Sequence, residues 1–228
     1  MVLFTDSHLQ YSQINQTNAK PYVIIVDLEQ QALQRLGQNI MFWQHQLHDM
    51  DPERQVHQSY QLYWIWALKV FFLHDAVQLN HFQSSFYVWI DAGIMREKRY
   101  VNANLLHLLP PIAMQENNHS IFIGNPFPFE PTIDNIIDTS PCGNSFLHKD
   151  RLAGGMFGGH ASFIQTWLAL YQQFFQKYIE CGWFVGKDQS IFNSICIQRP
   201  DKCVLIHNTD PQRNPWYSLV YFLLDKHT

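Results

Sequence analysis

The sequence predicts an α/β fold in which helices flank a mostly parallel or mixed central sheet. Short apolar runs rich in β-branched and aromatic residues alternate with longer runs of helical periodicity. With 228 residues, 46% of them hydrophobic, the chain can bury one sizeable core. No internal repeat or low-complexity segment divides the sequence, so residues 1–228 are interpreted as a single domain.

Apolar runs along the chain predict the strands. The run "FYVWID" is apolar almost throughout, as expected of a strand in a sheet that is covered on both faces. The predicted strands are residues 2–6, 22–27, 86–91, 121–124 and 203–207.

Runs with apolar residues at helical spacing predict the helices. The clearest has a continuous aromatic and aliphatic stripe and is followed by Gly182, a residue type that commonly follows a helix end. The predicted helices are residues 29–47, 57–79, 161–180 and 188–198. The proline-rich stretch 125–150 predicts a long loop, and an apolar segment, 216–224, follows a turn-rich tail.

Charge and hydropathy indicate neither nucleic-acid binding nor a membrane span. The formal net charge is −4, and no run of lysine or arginine forms a basic patch. The most apolar run, residues 62–73, is too short to cross a bilayer and carries Lys69. A peripheral contact with a membrane remains open, and so does the oligomeric state.

The cysteines predict a reducing compartment. None of them forms a C-x-x-C pair, and apolar neighbours such as Ile195 and Val204 predict buried free thiols. We therefore expect a cytoplasmic protein, with the membrane surface as an open alternative. The cysteines are Cys142, Cys181, Cys196 and Cys203.

The first candidate binding group is Asp91, which ends an apolar strand. Ligands of open α/β sheets bind beyond the carboxyl ends of strands. A carboxylate there can hold a divalent cation or a ribose hydroxyl, and the small residues Ala92 and Gly93 leave room for a bulky ligand. The alternative is an aspartate that merely ends a strand in a turn.

Lys69 is the second candidate, because it is the only charged residue between Tyr60 and His74. A buried ammonium group needs a partner, so Lys69 is expected to pair with Asp91 or to reach an anionic phosphate. The alternative is a lysine whose stem is buried and whose ammonium reaches solvent.

Two further segments carry candidate residues. "RLAGGMFGGH" places Gly154 and Gly155 where backbone could approach a ligand closely, although a flexible loop before a helix is the simpler interpretation. It matches neither the dinucleotide fingerprint nor a P-loop. Asp188 and Gln189 open the helix 188–198, where aspartate is also a normal N-cap residue.

The last segment is "VLIHNTDPQRNPW". His207 ends a predicted strand, where it could be a metal ligand, and Trp216 follows a rigid proline. With 12 histidines in the chain, one histidine alone says little.

In combination these motifs resemble a known family. "VWIDAG" followed by Arg96, then "AGGMFGG" and "KDQSIF", resembles the HtrL/YibB family of glycosyltransferase-like proteins, and more distantly the GT-A glycosyltransferases. "IHNTDPQRNPW" is similar to the late histidine and Pro-Trp segment of glycogenin-like enzymes. The resemblance covers roughly residues 60–216.

The resemblance implies a GT-A-like, Rossmann-like fold and a set of roles. Asp91 and His207 would hold a manganese or magnesium ion on the donor diphosphate. Asp188 would orient the acceptor hydroxyl or act as its base. The remaining implied substrate-binding residues are Lys69, Gly93, Arg96, Gly154, Gly155, Gln189 and Trp216.

The implied function is transfer of a sugar from a nucleotide-sugar donor to a glycan acceptor, in the assembly of a surface polysaccharide or lipopolysaccharide. Two departures from the GT-A pattern concern the metal and the first strand. Gly93 stands where the second aspartate of the DXD motif would be. The family's first strand either lies upstream of Met1 or is lost. These departures favour the alternative of a catalytically degenerate nucleotide- or glycan-binding module, and a toxin-like transferase that modifies a host protein is a third interpretation.

Overall fold

The computed structural model describes residues 2–6, 22–91, 111–130, 142 and 150–225. Its strands are β1 (Val2–Asp6), β2 (Tyr22–Val26), β3 (Phe86–Ile90), β4 (Ile121–Gly124), β5 (Met156–His160) and β6 (Cys203–Ile206). Its α-helices are α1 (Leu28–Leu36), α2 (Ile40–His45), α3 (Gln61–Leu79), α4 (Ile112–Glu116), α5 (Ala161–Glu180), α6 (Asp188–Gln198) and α7 (Ser218–Asp225). A π-helical turn, Gln46–Met50, extends α2.

A mixed sheet in the order β3-β5-β4-β6 forms the centre of the described fold. Strand β5 is antiparallel to both of its neighbours, and β4 is parallel to β6. Strands β3, β4 and β6 therefore run in one direction, and their carboxyl ends meet at one edge of the sheet. Strands β1 and β2 form a separate parallel pair, and Phe4 of β1 stacks on Phe72 of α3.

Helices cover both faces of the sheet. Alternate residues of β4 point to opposite faces: Ile121 and Ile123 join the core with α3, α5 and α6, whereas Phe122 joins the core with α4 and α7. This arrangement confirms the prediction of a sheet covered on both faces. The mixed α/β class that the sequence predicted is likewise confirmed.

The helix predicted at 161–180 is confirmed as α5, whose apolar stripe is buried against the sheet. The single helix predicted at 29–47 is wrong, because it breaks into α1 and α2. Gly37 adopts a left-handed conformation with φ 67° after α1, and the Asn39 side chain then accepts a hydrogen bond from the Phe42 N–H to begin α2.

Strand β5 excludes the alternative interpretation of 151–160 as a flexible loop. Residues 151–155 form a turn, but Met156–His160 is the strand that joins β3 to β4. A Cβ atom at Gly158 would lie 2.4 Å from the Tyr87 carbonyl oxygen, so the glycine allows the backbones to approach closely. The sequence also missed α4 and the helical character of α7.

The prediction of free cysteine thiols is wrong. Cys142 bonds to Cys181, and Cys196 bonds to Cys203, which leaves no free cysteine. The second bond closes a short loop between the end of α6 and the start of β6. Among the described helices, none is both long and apolar enough to cross a membrane.

Candidate functional site

The candidate site lies at the edge of the sheet where β3, β4 and β6 end. The strand register places one residue of each strand side by side there, in the order Asp91, Gly155, Asn125 and His207. Two backbone hydrogen bonds continue the ladder past the strand ends: Asp91 N–H to the Gly155 oxygen at 2.8 Å, and Asn125 N–H to the Ile206 oxygen at 2.9 Å. Three strand spacings make this row about 14 Å wide.

Lys69 joins the two predicted aspartates. Its ammonium nitrogen lies 2.9 Å from Asp91 Oδ2 and 3.1 Å from Asp188 Oδ2, and it donates to the Gly154 oxygen at 3.2 Å. The Lys69 side chain is only 2% exposed. The expected pairing of Lys69 with Asp91 is therefore present, and the alternative of an ammonium that reaches solvent is excluded.

The two carboxylates differ in their access to solvent. The Asp91 side chain is 31% exposed, whereas that of Asp188 is 4% exposed. Asp188 starts α6, and its Oδ1 accepts a hydrogen bond from the Gln189 N–H at 2.9 Å. The Asp188 carboxylate is buried behind the turn 152–155. The role that the resemblance implied for it, orienting the acceptor hydroxyl or acting as its base, stays a prediction.

The turn before β5 fits closely against Asp188. A Cβ atom at Gly154 would lie 2.7 Å from Asp188 Oδ2 and 2.9 Å from Oδ1, so a side chain at this position would collide with the carboxylate. The Gln189 amide donates to the Leu152 oxygen at 3.0 Å and fixes the turn to α6. The structure thus brings Gly154, Gly155 and Gln189 to the aspartates, and their implied role in substrate binding stays a prediction.

Trp89 is a site residue that the sequence analysis missed. Its indole N–H donates to Asp91 Oδ1 at 2.6 Å, so Trp89 and Lys69 hold the two oxygens of one carboxylate. The sequence did contain a signal for this contact, because Trp89 and Asp91 are two residues apart and residues at that spacing on a strand share a face. Trp89 was interpreted only as part of an apolar strand.

Burial and neighbouring charges have opposing effects on the pKa values of Lys69 and Asp188. Burial lowers the pKa of the Lys69 ammonium, but the charges of Asp188 and Asp91 outweigh it and raise that pKa above its ordinary value of 10.5. Burial raises the pKa of the Asp188 carboxyl above 3.8, and the Asp91 charge adds to this against the opposing effect of Lys69. Lys69 therefore remains charged, and proton uptake by Asp188 becomes easier.

His207 and Trp216 lie at the other end of the row. His207 is exposed after β6, separated from Asp91 by β5 and β4. Trp216 is half-buried and packs edge-on against Phe127, with the ring centroids 5.8 Å apart. The structure does not bring His207 and Asp91 together as ligands of one ion. Gly93 and Arg96 lie outside the described residues.

The described residues do not fit the divalent ion that the resemblance implied. Manganese and magnesium prefer carboxylate and other oxygen ligands, but the Lys69 ammonium already lies between the two carboxylates. An ion bound by both carboxylates would need the position that this ammonium occupies. The proposed chemistry therefore uses no metal.

A second polar cluster adjoins the site. Asp51, whose side chain is 1% exposed, accepts hydrogen bonds from His57 Nδ1 and from the Tyr63 hydroxyl, both at 2.6 Å. The Lys187 ammonium lies 2.8 Å from Glu53 Oε2, which links the cluster to the residue before Asp188. The ligand atoms of Asp51, Glu53 and His57 lie within 4.8 Å of one another, so this cluster could also hold a cation. The spacing in "DPERQVH" was its sequence signal, and it was missed.

Comparison with known proteins adds one result. The model of a family described as "Bacterial protein of unknown function (HtrL_YibB)" matches residues 9–221. No curated protein and no solved structure matches the chain.

Proposed function

The chain belongs to the HtrL/YibB family, and from the geometry of its site we propose that it is a glycosyltransferase that uses a nucleotide-sugar donor. The observation that carries the proposal is the Asp91–Lys69–Asp188 arrangement at the carboxyl edge of the sheet. Open α/β sheets bind their ligands at this edge. The GT-A-like character of the fold is part of the same proposal.

Asp91 is the carboxylate that contacts the substrate in this proposal. It is 31% exposed, and Lys69 and Trp89 hold it in one orientation. As the acceptor hydroxyl oxygen bonds to the anomeric carbon, the bond from that carbon to the diphosphate breaks, and the diphosphate leaves with the electron pair. The hydroxyl proton passes to Asp91, which acts as the base.

Asp188 is then a positioning residue rather than the base that the resemblance implied. Its buried carboxylate fixes the Lys69 ammonium, and Lys69 in turn fixes Asp91. Gly154 leaves the space that this arrangement needs. The acceptor is a glycan in this proposal, and assembly of a surface polysaccharide or lipopolysaccharide is its setting.

The alternative function is a nucleotide- or glycan-binding module without transferase activity. The observation that favours it is the enclosure of Lys69. Its ammonium lies within 3.2 Å of oxygens of Asp91, Asp188 and Gly154, and its side chain is 2% exposed, so a phosphate has little access to it. Donor hydrolysis in the absence of an acceptor separates the two functions, because a pure binder releases no sugar.

The compartment is a proposal as well. The sequence predicted the cytoplasm, whereas two disulfides are typical of proteins in oxidising compartments. The disulfides are the observation that bears on the compartment, so we favour an oxidising one over the cytoplasm.

The test is calorimetric titration of the protein with UDP, GDP and CDP, followed by assays of sugar release from the matching nucleotide sugars. We expect one nucleotide to bind. We expect Asp91→Asn to reduce sugar release by roughly 100-fold or more, as removal of a general base does. Asp201→Asn, at an exposed aspartate paired with Lys202, is the matched control and should leave release unchanged.

The outcomes separate the candidate functions. Binding of a nucleotide without release of any sugar would select the binding module. Absence of binding to all three nucleotides would contradict both candidates. Equal loss of activity in Asp91→Asn and Asp201→Asn would remove Asp91 from the chemistry.

A further inference from the structure

We infer that Lys69 is the resident cation of this site, so that the protein binds its nucleotide without a divalent metal ion. The ammonium lies 2.9 Å from one aspartate and 3.1 Å from the other, and its side chain is 2% exposed. A cation that bridged Asp91 and Asp188 would have to occupy the same position. The inference rests on the proposed function for the identity of the ligand, but the position of the ammonium is independent of it.

The surrounding groups fix Lys69 in this position. Asp91 Oδ1 accepts from the Trp89 indole at 2.6 Å, and Asp188 Oδ1 accepts from the Gln189 N–H at 2.9 Å. The remaining oxygen of each carboxylate faces Lys69, and the Gly154 carbonyl binds the same ammonium. Asp188 Oδ2 is buried and makes no hydrogen bond, but the Lys69 ammonium lies 3.1 Å from it and provides its positive charge. Within the described residues, a metal bound by this oxygen would have to displace the ammonium.

The first experiment asks whether the position becomes a metal site when the ammonium is removed. Lys69→Ala leaves two acidic side chains facing the vacated space. Because a ligand that binds only the folded state stabilises it, we expect manganese at about 100 times its dissociation constant to raise the melting temperature of Lys69→Ala by roughly 5 to 10 °C. The wild type should show no comparable rise.

The controls locate the effect. Manganese binding at the Asp51, Glu53 and His57 cluster would appear equally in the wild type and in Lys69→Ala, so the inference depends on the difference between them. Lys69→Ala/Asp188→Asn should lose the gained response, and Lys202→Ala, at a lysine paired with Asp201, should behave as the wild type. An equal manganese response in Lys69→Ala and the wild type would overturn the inference.

The second experiment needs no variant, and it decides the question if Lys69→Ala does not fold. Calorimetric titration of the wild type with UDP, GDP and CDP is run once in EDTA and once in manganese. We expect the dissociation constants in EDTA and in manganese to agree within about two-fold. Binding that is tighter by ten-fold or more in manganese would overturn the inference and leave the proposed function intact. Failure to bind in both conditions would overturn the proposed function itself, and the inference with it.

Discussion

The pKa values of Lys69 and Asp188 link the site to the stability of the fold. The raised pKa of Lys69 means that the folded state keeps a proton that the unfolded chain loses near pH 10.5. Its contribution to stability is therefore present below pH 10.5 and is lost as pH rises through the higher, folded value. Asp188 changes stability in the same direction but in an acidic window, because its raised pKa makes the folded state less stable as pH rises above 3.8.

The loss of stability at alkaline pH gives a prediction for Lys69. The wild type should lose free energy of unfolding between about pH 10 and 12 more steeply than Lys69→Met, in which this proton is absent. Urea unfolding at a series of pH values measures the slope. Lys202→Met removes a half-buried lysine that pairs with Asp201 at the surface and should retain the wild-type slope. Identical slopes in the wild type and Lys69→Met would contradict the assigned shift.

Single residues could be selected from the sequence when their chemistry conflicted with their surroundings. Lys69 was found because a charge in an apolar helix must have a partner, and that partner is present. Trp89 was not found, because an aromatic residue in an apolar strand conflicts with nothing. The burial of Asp188 could not be predicted either, since an aspartate at a helix start is usually an exposed cap.

At the scale of the elements, the pairing of β5 with its neighbouring strands depends on its glycines. Gly158 and Gly159 are neighbours in the strand, but a Cβ atom at Gly158 would meet backbone at 2.4 Å, whereas one at Gly159 would first meet the Ser120 oxygen at 3.1 Å. The two positions thus form a natural pair for comparison.

We expect Gly158→Ala to lower the free energy of unfolding by about 3 kcal/mol, since β3 and β5 must separate to admit the methyl group. Gly159→Ala should cost about 1 kcal/mol or less, because a shift of a few tenths of an ångström suffices there. Urea unfolding of both variants measures the difference. A larger loss in Gly159→Ala than in Gly158→Ala would contradict the strand pairing.

Elements with strong periodicity were predicted well, and those that depend on contacts were not. Helix α5 has a regular apolar stripe, which is a local property of its sequence. Strand β5 contains two glycines, which disfavour strands, so only its pairing with β3 and β4 makes it a strand. The break between α1 and α2 depended on one glycine whose left-handed conformation the sequence alone did not reveal.

At the scale of the whole molecule, the disulfides contribute to stability. Loop-closure entropy gives about 4 kcal/mol for Cys142–Cys181, with a sequence separation of 39, and about 2 kcal/mol for Cys196–Cys203, with a separation of 7. The Cys142→Ser/Cys181→Ser variant should therefore lose more free energy of unfolding than Cys196→Ser/Cys203→Ser.

Alkylation and mass spectrometry check the pairing itself. The unreduced protein, denatured in the presence of the alkylating reagent, should carry no label, and the reduced protein should carry four. Four labels without reduction would contradict both disulfides and would support the reducing compartment that the sequence predicted.

The mixed α/β class was predictable because alternating strands and helices are visible in one sequence. The strand order was not, because pairing between distant segments leaves no trace in local composition. For the same reason the sequence could nominate Asp91 and His207 but could not place them at opposite ends of one row.

The insertion of β5 between β3 and β4 has a consequence for how the chain acquires its structure. Phe86 pairs with His160, and Ile121 pairs with Cys203, so the sheet cannot close until segments far apart in the sequence have met. Pairings of such long range slow folding, because the entropy of closing a loop is lost before the contacts form. During synthesis on the ribosome, β3 emerges long before β5, its partner strand. Until β5 is made, the apolar strand β3 has no strand to pair with. The incomplete chain is therefore most prone to aggregate between the synthesis of β3 and that of β5.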